Sequence, residues 1–171
     1  DLNEKINGST RGELLQLMLV HSNNDAAKTL CDNYPDGFSA CIRSMNLKAH
    51  MLGLSNTHYV DSSGLNIMNV STASELVYIV LEASKYPEIT RAAKTSEIKV
   101  KKRKHFIALR NTNPLVATKD FIVSKTGYIR ASGGCIVMML DTKIGRRIVV
   151  LLNSRNTHTR IPEAYKLAQA Y

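Results

Sequence analysis

Tryptophan is absent from the chain and phenylalanine occurs three times, which leaves few aromatic faces on which nucleobases could stack. Cysteine is scarce as well. Cys31, Cys41 and Cys135 cannot all pair within one chain, and no C-x-x-C or H-x-x-x-H spacing suggests a zinc site, so neither a metal nor any other cofactor is expected. All three read as small buried hydrophobes, with one disulfide as the alternative. No apolar run approaches the roughly 18 residues of a membrane span, and the opening DLNEKINGSTR is polar, so neither a span nor a signal peptide is expected in this chain. Proline and glycine are few, at four and nine residues, and 44% hydrophobic against 22% charged residues excludes a disordered or fibrous chain.

Acidic residues are outnumbered: 14 Asp and Glu face 23 Lys and Arg, for a net charge of +9. Such a surface favours anionic partners, whether nucleic acid, anionic lipid or cell-wall polymer. The densest basic stretch, 94–104 (KTSEIKVKKRK), reads as a solvated strand or loop, and no nucleic-acid partner is expected. At 171 residues the chain has the length of one domain.

Residues 12–20 (GELLQLMLV) are rich in helix formers and apolar nearly all round, which predicts a short buried helix. It ends at His21, Ser22 and Asn23. Residues 24–33 predict a second helix, with Ala26, Ala27 and Leu30 on one face. Beyond the Tyr34-Pro35-Asp36-Gly37 turn, apolar residues at helical spacing predict a third over 38–52, stopped by Gly53. Residues 56–69 read as an irregular connection, and Thr72 with Glu75 forms a capping box opening a helix to about Lys85. From Thr95 the texture is that of strands: 98–100, 106–109, then apolar runs at 121–123, 135–140 and 147–152 with short connections, as in an antiparallel meander. Residues 161–170 close with a helix. The class is α+β, an antiparallel sheet flanked by helices, with 1–93 mostly helical and 94–171 sheet plus a C-terminal helix.

Two triplets carry candidate chemistry. Ser22-Asn23-Asn24 stands where two helices meet, and its plain reading is an N-cap supplied by Ser22, with Asp25 favouring the helix dipole. Lys125-Thr126-Gly127 stands at the end of the strand reaching Ser124, and its plain reading is an exposed lysine followed by a turn glycine. Chemically it offers a fixed positive charge, a hydroxyl, and a backbone that a ligand can approach closely. An edge strand so equipped could bind a peptide carboxylate.

With their surroundings, these triplets resemble two of the three signatures of the penicillin-recognising serine peptidases, S-x-x-K, S-x-N and K-T-G in that order. The resemblance runs through STRGELLQLMLVHSNNDAA, MNLKAHMLGLSNTHYVDSSGLNIMNVSTASEL, LRNTNPLV and VSKTGYIRASGGCIVMM. It is greatest to the low-molecular-mass D-alanyl-D-alanine carboxypeptidases and endopeptidases. It implies a serine β-lactamase/D,D-peptidase-like fold, and a periplasmic, exported enzyme acting on peptidoglycan peptides and acylated by β-lactam antibiotics. By motif, Ser22 relays a proton to the leaving amine, Asn24 hydrogen-bonds the substrate amide, and Lys125 supplies positive potential. Thr126 binds the terminal carboxylate, Gly127 admits the ligand to the strand, and the Tyr128 amide is an oxyanion donor. Arg160 is either a second grip on the carboxylate or a solvated helix cap.

The departure from the family is S-x-x-K. The only string of that form is Ser96-Glu97-Ile98-Lys99, after Ser22 and in strand-like sequence, where those side chains fall on opposite faces. The fold is therefore expected to be incomplete at the N-terminus, with the nucleophile upstream. The chain alone is expected to be inactive and to expose an apolar face that the missing N-terminal segment or a dimer partner would cover. A catalytically silent peptidoglycan-binding module is the alternative. A serine β-lactamase is disfavoured, since no Glu has Asn four residues later.

Overall fold

The computed structural model describes residues 6, 8–102, 105–118 and 120–170; most of the polar opening and part of the basic stretch lie outside these. Helix α1 (Arg11–Val20) starts at Thr10, whose hydroxyl accepts from the Glu13 amide while the Glu13 carboxylate accepts from the Thr10 amide at 2.8 Å. This reciprocal cap fixes the start of a helix that buries Leu14, Leu17 and Val20. Helices α2 (Asn24–Asp32), α3 (Gly37–Met51), α4 (Ala73–Ala83) and α5 (Pro87–Lys94) follow. α5 is short and buries Ala92 and Ala93, which share a face with Ile89. Its signals are Pro87 at the first turn and Arg91 and Lys94 at the last.

Two expectations are corrected in the helical part. Cys31 and Cys41 are not reduced core residues: they form a disulfide, because the 34–37 turn folds α3 back on α2 and brings their Cα atoms to 5.4 Å. That distance suits a disulfide. Cys135 keeps its thiol and is only half-buried. The capping box at α4 is half formed. The Thr72 hydroxyl accepts from the Glu75 amide, but the Glu75 carboxylate turns away to the Thr57 hydroxyl and the Asn56 amide. These bonds, Thr57's first, hold its pKa below the ordinary carboxylate value and stitch the irregular connection to α4.

Strands β1 (Glu97–Lys102) and β2 (His105–Arg110) make a hairpin of their own, packing Ile98, Val100 and Leu109 on the buried stripe of α1. The main sheet is an antiparallel meander of β3 (Phe121–Ile129), β4 (Gly133–Thr142) and β5 (Gly145–Ser154), in that order. Helix α6 (Arg160–Gln169) covers one face, placing Ile161, Ala164 and Ala168 on Ile136, Met138 and Leu140. On the other face Met139 and Val123 meet Val80 of α4 and Ala93 of α5. β4 is thus covered on both sides, which is why it reads as an unbroken apolar run. β3 extends well past the predicted 121–123. Lys125, Thr126 and Gly127 pair with Val137, Ile136 and Cys135, so the triplet lies within the edge strand and not beyond its end.

Candidate active site

The amides of His21 and Asn23 both donate to Leu17 O as α1 ends. Between them Ser22 takes φ +54°, in the left-handed region that costs a non-glycine residue roughly 1–2 kcal/mol. Ser22 is not the cap of α2. Asn23 is, its Oδ1 accepting from the Ala26 amide at 2.7 Å, so the plain reading of Ser22 fails. The Ser22 hydroxyl instead accepts a hydrogen bond from Lys125 Nζ at 2.6 Å, across 103 residues of sequence.

Lys125 Nζ also donates to Thr126 O at 2.6 Å. Burial, and after it the positive charge of Arg160, lowers the Lys125 pKa from 10.5 to about 8. The ammonium therefore dominates at neutral pH while a minority is neutral, a balance suited to moving a proton. Its placement depends on the polar segment between β2 and β3. The Thr112 amide donates to Val20 O at 3.0 Å, and the Thr112 hydroxyl accepts from Thr126 Oγ1 at 2.7 Å, so one residue ties the end of α1 to β3. Asn113, buried, donates to Ser124 Oγ at 3.1 Å, and Asn111 donates to Thr95 O at 2.9 Å.

Arg160 opens α6 with 8% of its surface exposed, so it is not a solvated cap. It donates through one terminal nitrogen to Gly127 O, its Nε has no partner, and burial lowers its pKa. Tyr128 is exposed, and so is Asn24, the first residue of α2. Ser22, Asn24, Lys125, Thr126, Gly127, Tyr128 and Arg160 all line one cleft of about 340 Å³.

Sequence reasoning assigned no role to several other lining residues: Thr112, the Ser63-Gly64-Leu65 loop and Cys135. The loop has a readable signal in Asp61. Burial alone would raise its pKa, but amides of Asn66, Gly64 and Ser63 converge on the carboxylate at 2.6 Å each and lower it, fixing the turn. A groove of about 360 Å³ between α3 and α4 is lined by Met45, Leu52, Leu54 and Ile79, and its Lys48 and Glu82 are paired with each other at 2.6 Å. Among the described residues lining it, no hydroxyl accepts from an amine as Ser22 does from Lys125. The Ser96 to Lys99 string runs from the residue before β1 into the strand, with Ile98 buried and Lys99 exposed. Among the described residues no cluster of His, Cys, Asp and Glu could hold a metal ion, and no helix is long and apolar enough to cross a membrane.

A family model described as D-alanyl-D-alanine carboxypeptidase matches residues 2–156. D-alanyl-D-alanine endopeptidases of Pseudomonas aeruginosa and Escherichia coli are 37% and 34% identical over 162 residues, which is 92% of this chain and 52% of theirs. The chain thus spans about half the length of these relatives. Among solved structures, a Streptomyces DD-transpeptidase matches with a TM-score of 0.83 at 29% identity, over 92% of this chain and 65% of that one. Penicillin-Binding Protein D2 of Listeria monocytogenes, in its cefotaxime-bound form, matches with a TM-score of 0.80 at 26% identity, over 94% and 65%.

Proposed function

The chain belongs to the D-alanyl-D-alanine carboxypeptidase family, and from that premise we propose that it supplies the proton-transfer and carboxylate-binding half of a serine D,D-peptidase acting on peptidoglycan peptides. The observation that carries this reading is the 2.6 Å bond from Lys125 Nζ to Ser22 Oγ. A hydroxyl bonded to an amine that titrates near 8 can pass a proton to a leaving amine and recover it. Asn24 hydrogen-bonds the acyl-side amide. The Thr126 hydroxyl turns from Thr112 to the substrate carboxylate, and Arg160 provides a guanidinium at the same end. The Tyr128 amide donates to the oxyanion, an interaction worth about 2.7–4 kcal/mol of barrier in comparable sites.

The acyl-enzyme in this proposal forms on a serine of an S-x-x-K helix, which these 171 residues do not contain. The chain alone therefore binds and does not turn over, because the members of a catalytic set act as a unit. The intact protein is exported to the periplasm and is acylated by β-lactams. The test is fluorescent penicillin. A protein joining an S-x-x-K segment to this chain should take up one covalent label on that segment's serine, slowed 100-fold or more by Lys125→Ala. Labelling of this chain by itself, or labelling of the joined protein indifferent to Lys125, refutes the reading.

A further inference from the structure

The basic stretch that begins at Lys94 runs through β1, and the cleft around Ser22 makes no use of it. The register of the β1–β2 hairpin sets opposite residues on common faces. Ile98 with Leu109 and Val100 with Ile107 pack on α1, while Glu97 with Arg110, Lys99 with Ala108 and Lys101 with Phe106 share the outward face. Phe106 is 69% exposed there. Of the chain's three phenylalanines, Phe121 is buried and Phe38 half-buried, so Phe106 alone is given over to solvent. Glu97 lies 3.8 Å from Arg110 and offsets its charge. Among the described residues no carboxylate pairs with Lys99 or Lys101. One face thus joins a bare aromatic ring to two uncompensated cations, one of them directly across the ladder from the ring.

Shape decides between the anionic partners such a face attracts. β1 and β2 form a sheet of their own, so no third strand walls the face. The cavities around Ser22, between α3 and α4, beside α6 and at His58 take no residue from either strand. Small molecules and polymer ends are gripped in concavities. An open ribbon bearing a ring and lysines suits a planar surface instead, where the ring enters the boundary of headgroups and acyl chains and the lysines meet phosphates. We propose that the outward face of the β1–β2 hairpin is a peripheral docking surface for an anionic phospholipid bilayer, with Phe106 inserted and Lys99 and Lys101 on the headgroups. The face lies outside the cleft, so the proposal holds whichever reaction the cleft supports.

The lack of tryptophan supplies the probe. Phe106→Trp gives the chain a single indole at the proposed contact, and Tyr78→Trp, on the exposed side of α4, gives a control. Each is mixed with vesicles of phosphatidylcholine, alone or with an equal part of phosphatidylglycerol. With the mixed vesicles the Phe106→Trp emission should move to the blue and be quenched by brominated acyl chains, and the Tyr78→Trp emission should do neither. Raising salt from about 20 mM to about 0.5 M should release the protein. A lysine at an anionic bilayer contributes about fivefold to partitioning, so Lys99→Gln with Lys101→Gln should weaken vesicle binding about 25-fold. Lys143→Gln with Lys166→Gln, an equal change of charge on the β4–β5 turn and α6, should cost less than about fivefold. Equal losses from the two pairs, equal quenching of the two indoles, equal binding to phosphatidylcholine alone, or sedimentation with isolated peptidoglycan but not with vesicles each overturn the proposal. Binding of a peptide ending in D-Ala-D-Ala reads the cleft separately and should be unchanged in the Lys99 and Lys101 variant, so failure of the peptidase reading is told apart from failure of the docking face.

Discussion

Replacing Lys125 by Met tests the energetics of the buried ammonium. In the folded protein this group titrates at about 8, against 10.5 in an exposed setting. At 1.36 kcal/mol per pH unit, the gap corresponds to about 3 kcal/mol. The folded pKa is the depressed one, so between the two values the unfolded chain holds more protons, and the stability contributed by this residue rises as pH climbs from about 8 to 10.5. Below 8 both states carry the proton and the full penalty applies; above 10.5 neither does. Met matches the length of Lys without the charge, and it forfeits the bonds to Ser22 and Thr126, each worth about 0.5–1.5 kcal/mol. At pH 7 the variant should therefore be the more stable by about 1 kcal/mol, or about 2–4 °C in Tm for a chain of this size. Urea titrations of both proteins from pH 7 to 10.5 should show that lead vanish and then reverse. Taking the difference between the two proteins removes the tyrosines that titrate in the same window. A difference that stays constant across the window refutes the reasoning.

Ser22→Gly should melt above Ser22→Ala by about 1–3 °C, since both lack the hydroxyl and only Gly accepts a φ of +54° without the strain of about 1–2 kcal/mol, offset by about 0.5–1 kcal/mol for glycine's greater backbone entropy; calorimetry reads this, and an Ala variant at least as stable would show that the backbone there is unstrained. Exchanging Cys31 and Cys41 together for Ser should lower unfolding free energy by about 2–3 kcal/mol, the loop-closure effect of a short crosslink. Denaturant curves in the presence and absence of reductant should then coincide for the variant and differ for the unaltered chain. A methyl group at Gly134 would lie 2.7 Å from the carbonyl oxygen of Asn156, so Gly134→Ala should destabilise by about 1–3 kcal/mol. Gly127→Ala, facing only the ordinary 3.8 Å contact to Cys135, should fold with an unchanged Tm while weakening peptide binding.

What was legible followed period and capping. α1 announced itself by its helix-forming, apolar composition, α2 and α3 by apolar spacing, and β4 by a run that only a strand covered on both faces sustains. α5 escaped because its amphipathic pattern, Ile89, Ala92 and Ala93 against Arg91 and Lys94, lasts only eight residues and directly adjoins strand-like sequence. The extension of β3 through Lys125-Thr126-Gly127 escaped because Lys125 and Gly127, poor strand formers, flank Thr126 and are held by pairing with β4. The disulfide was obscured by an odd cysteine count, and by a turn whose tightness rests on Asp36 and Gly37 both adopting positive φ. The meeting of Ser22 with Lys125 was legible through the resemblance alone, for no local rule links side chains 103 residues apart. The strain at Ser22 and the partnerless nitrogen of Arg160 are products of tertiary packing.

The position of β3 at the end of the ladder has a further consequence for handling the protein. Beyond Lys125-Thr126-Gly127 no described strand continues the sheet, so its outer row of peptide groups can template a neighbouring molecule. Crowded solutions should favour strand-to-strand dimers in which each copy shields the other's cleft. Ligand uptake would then fall with protein concentration and return on dilution.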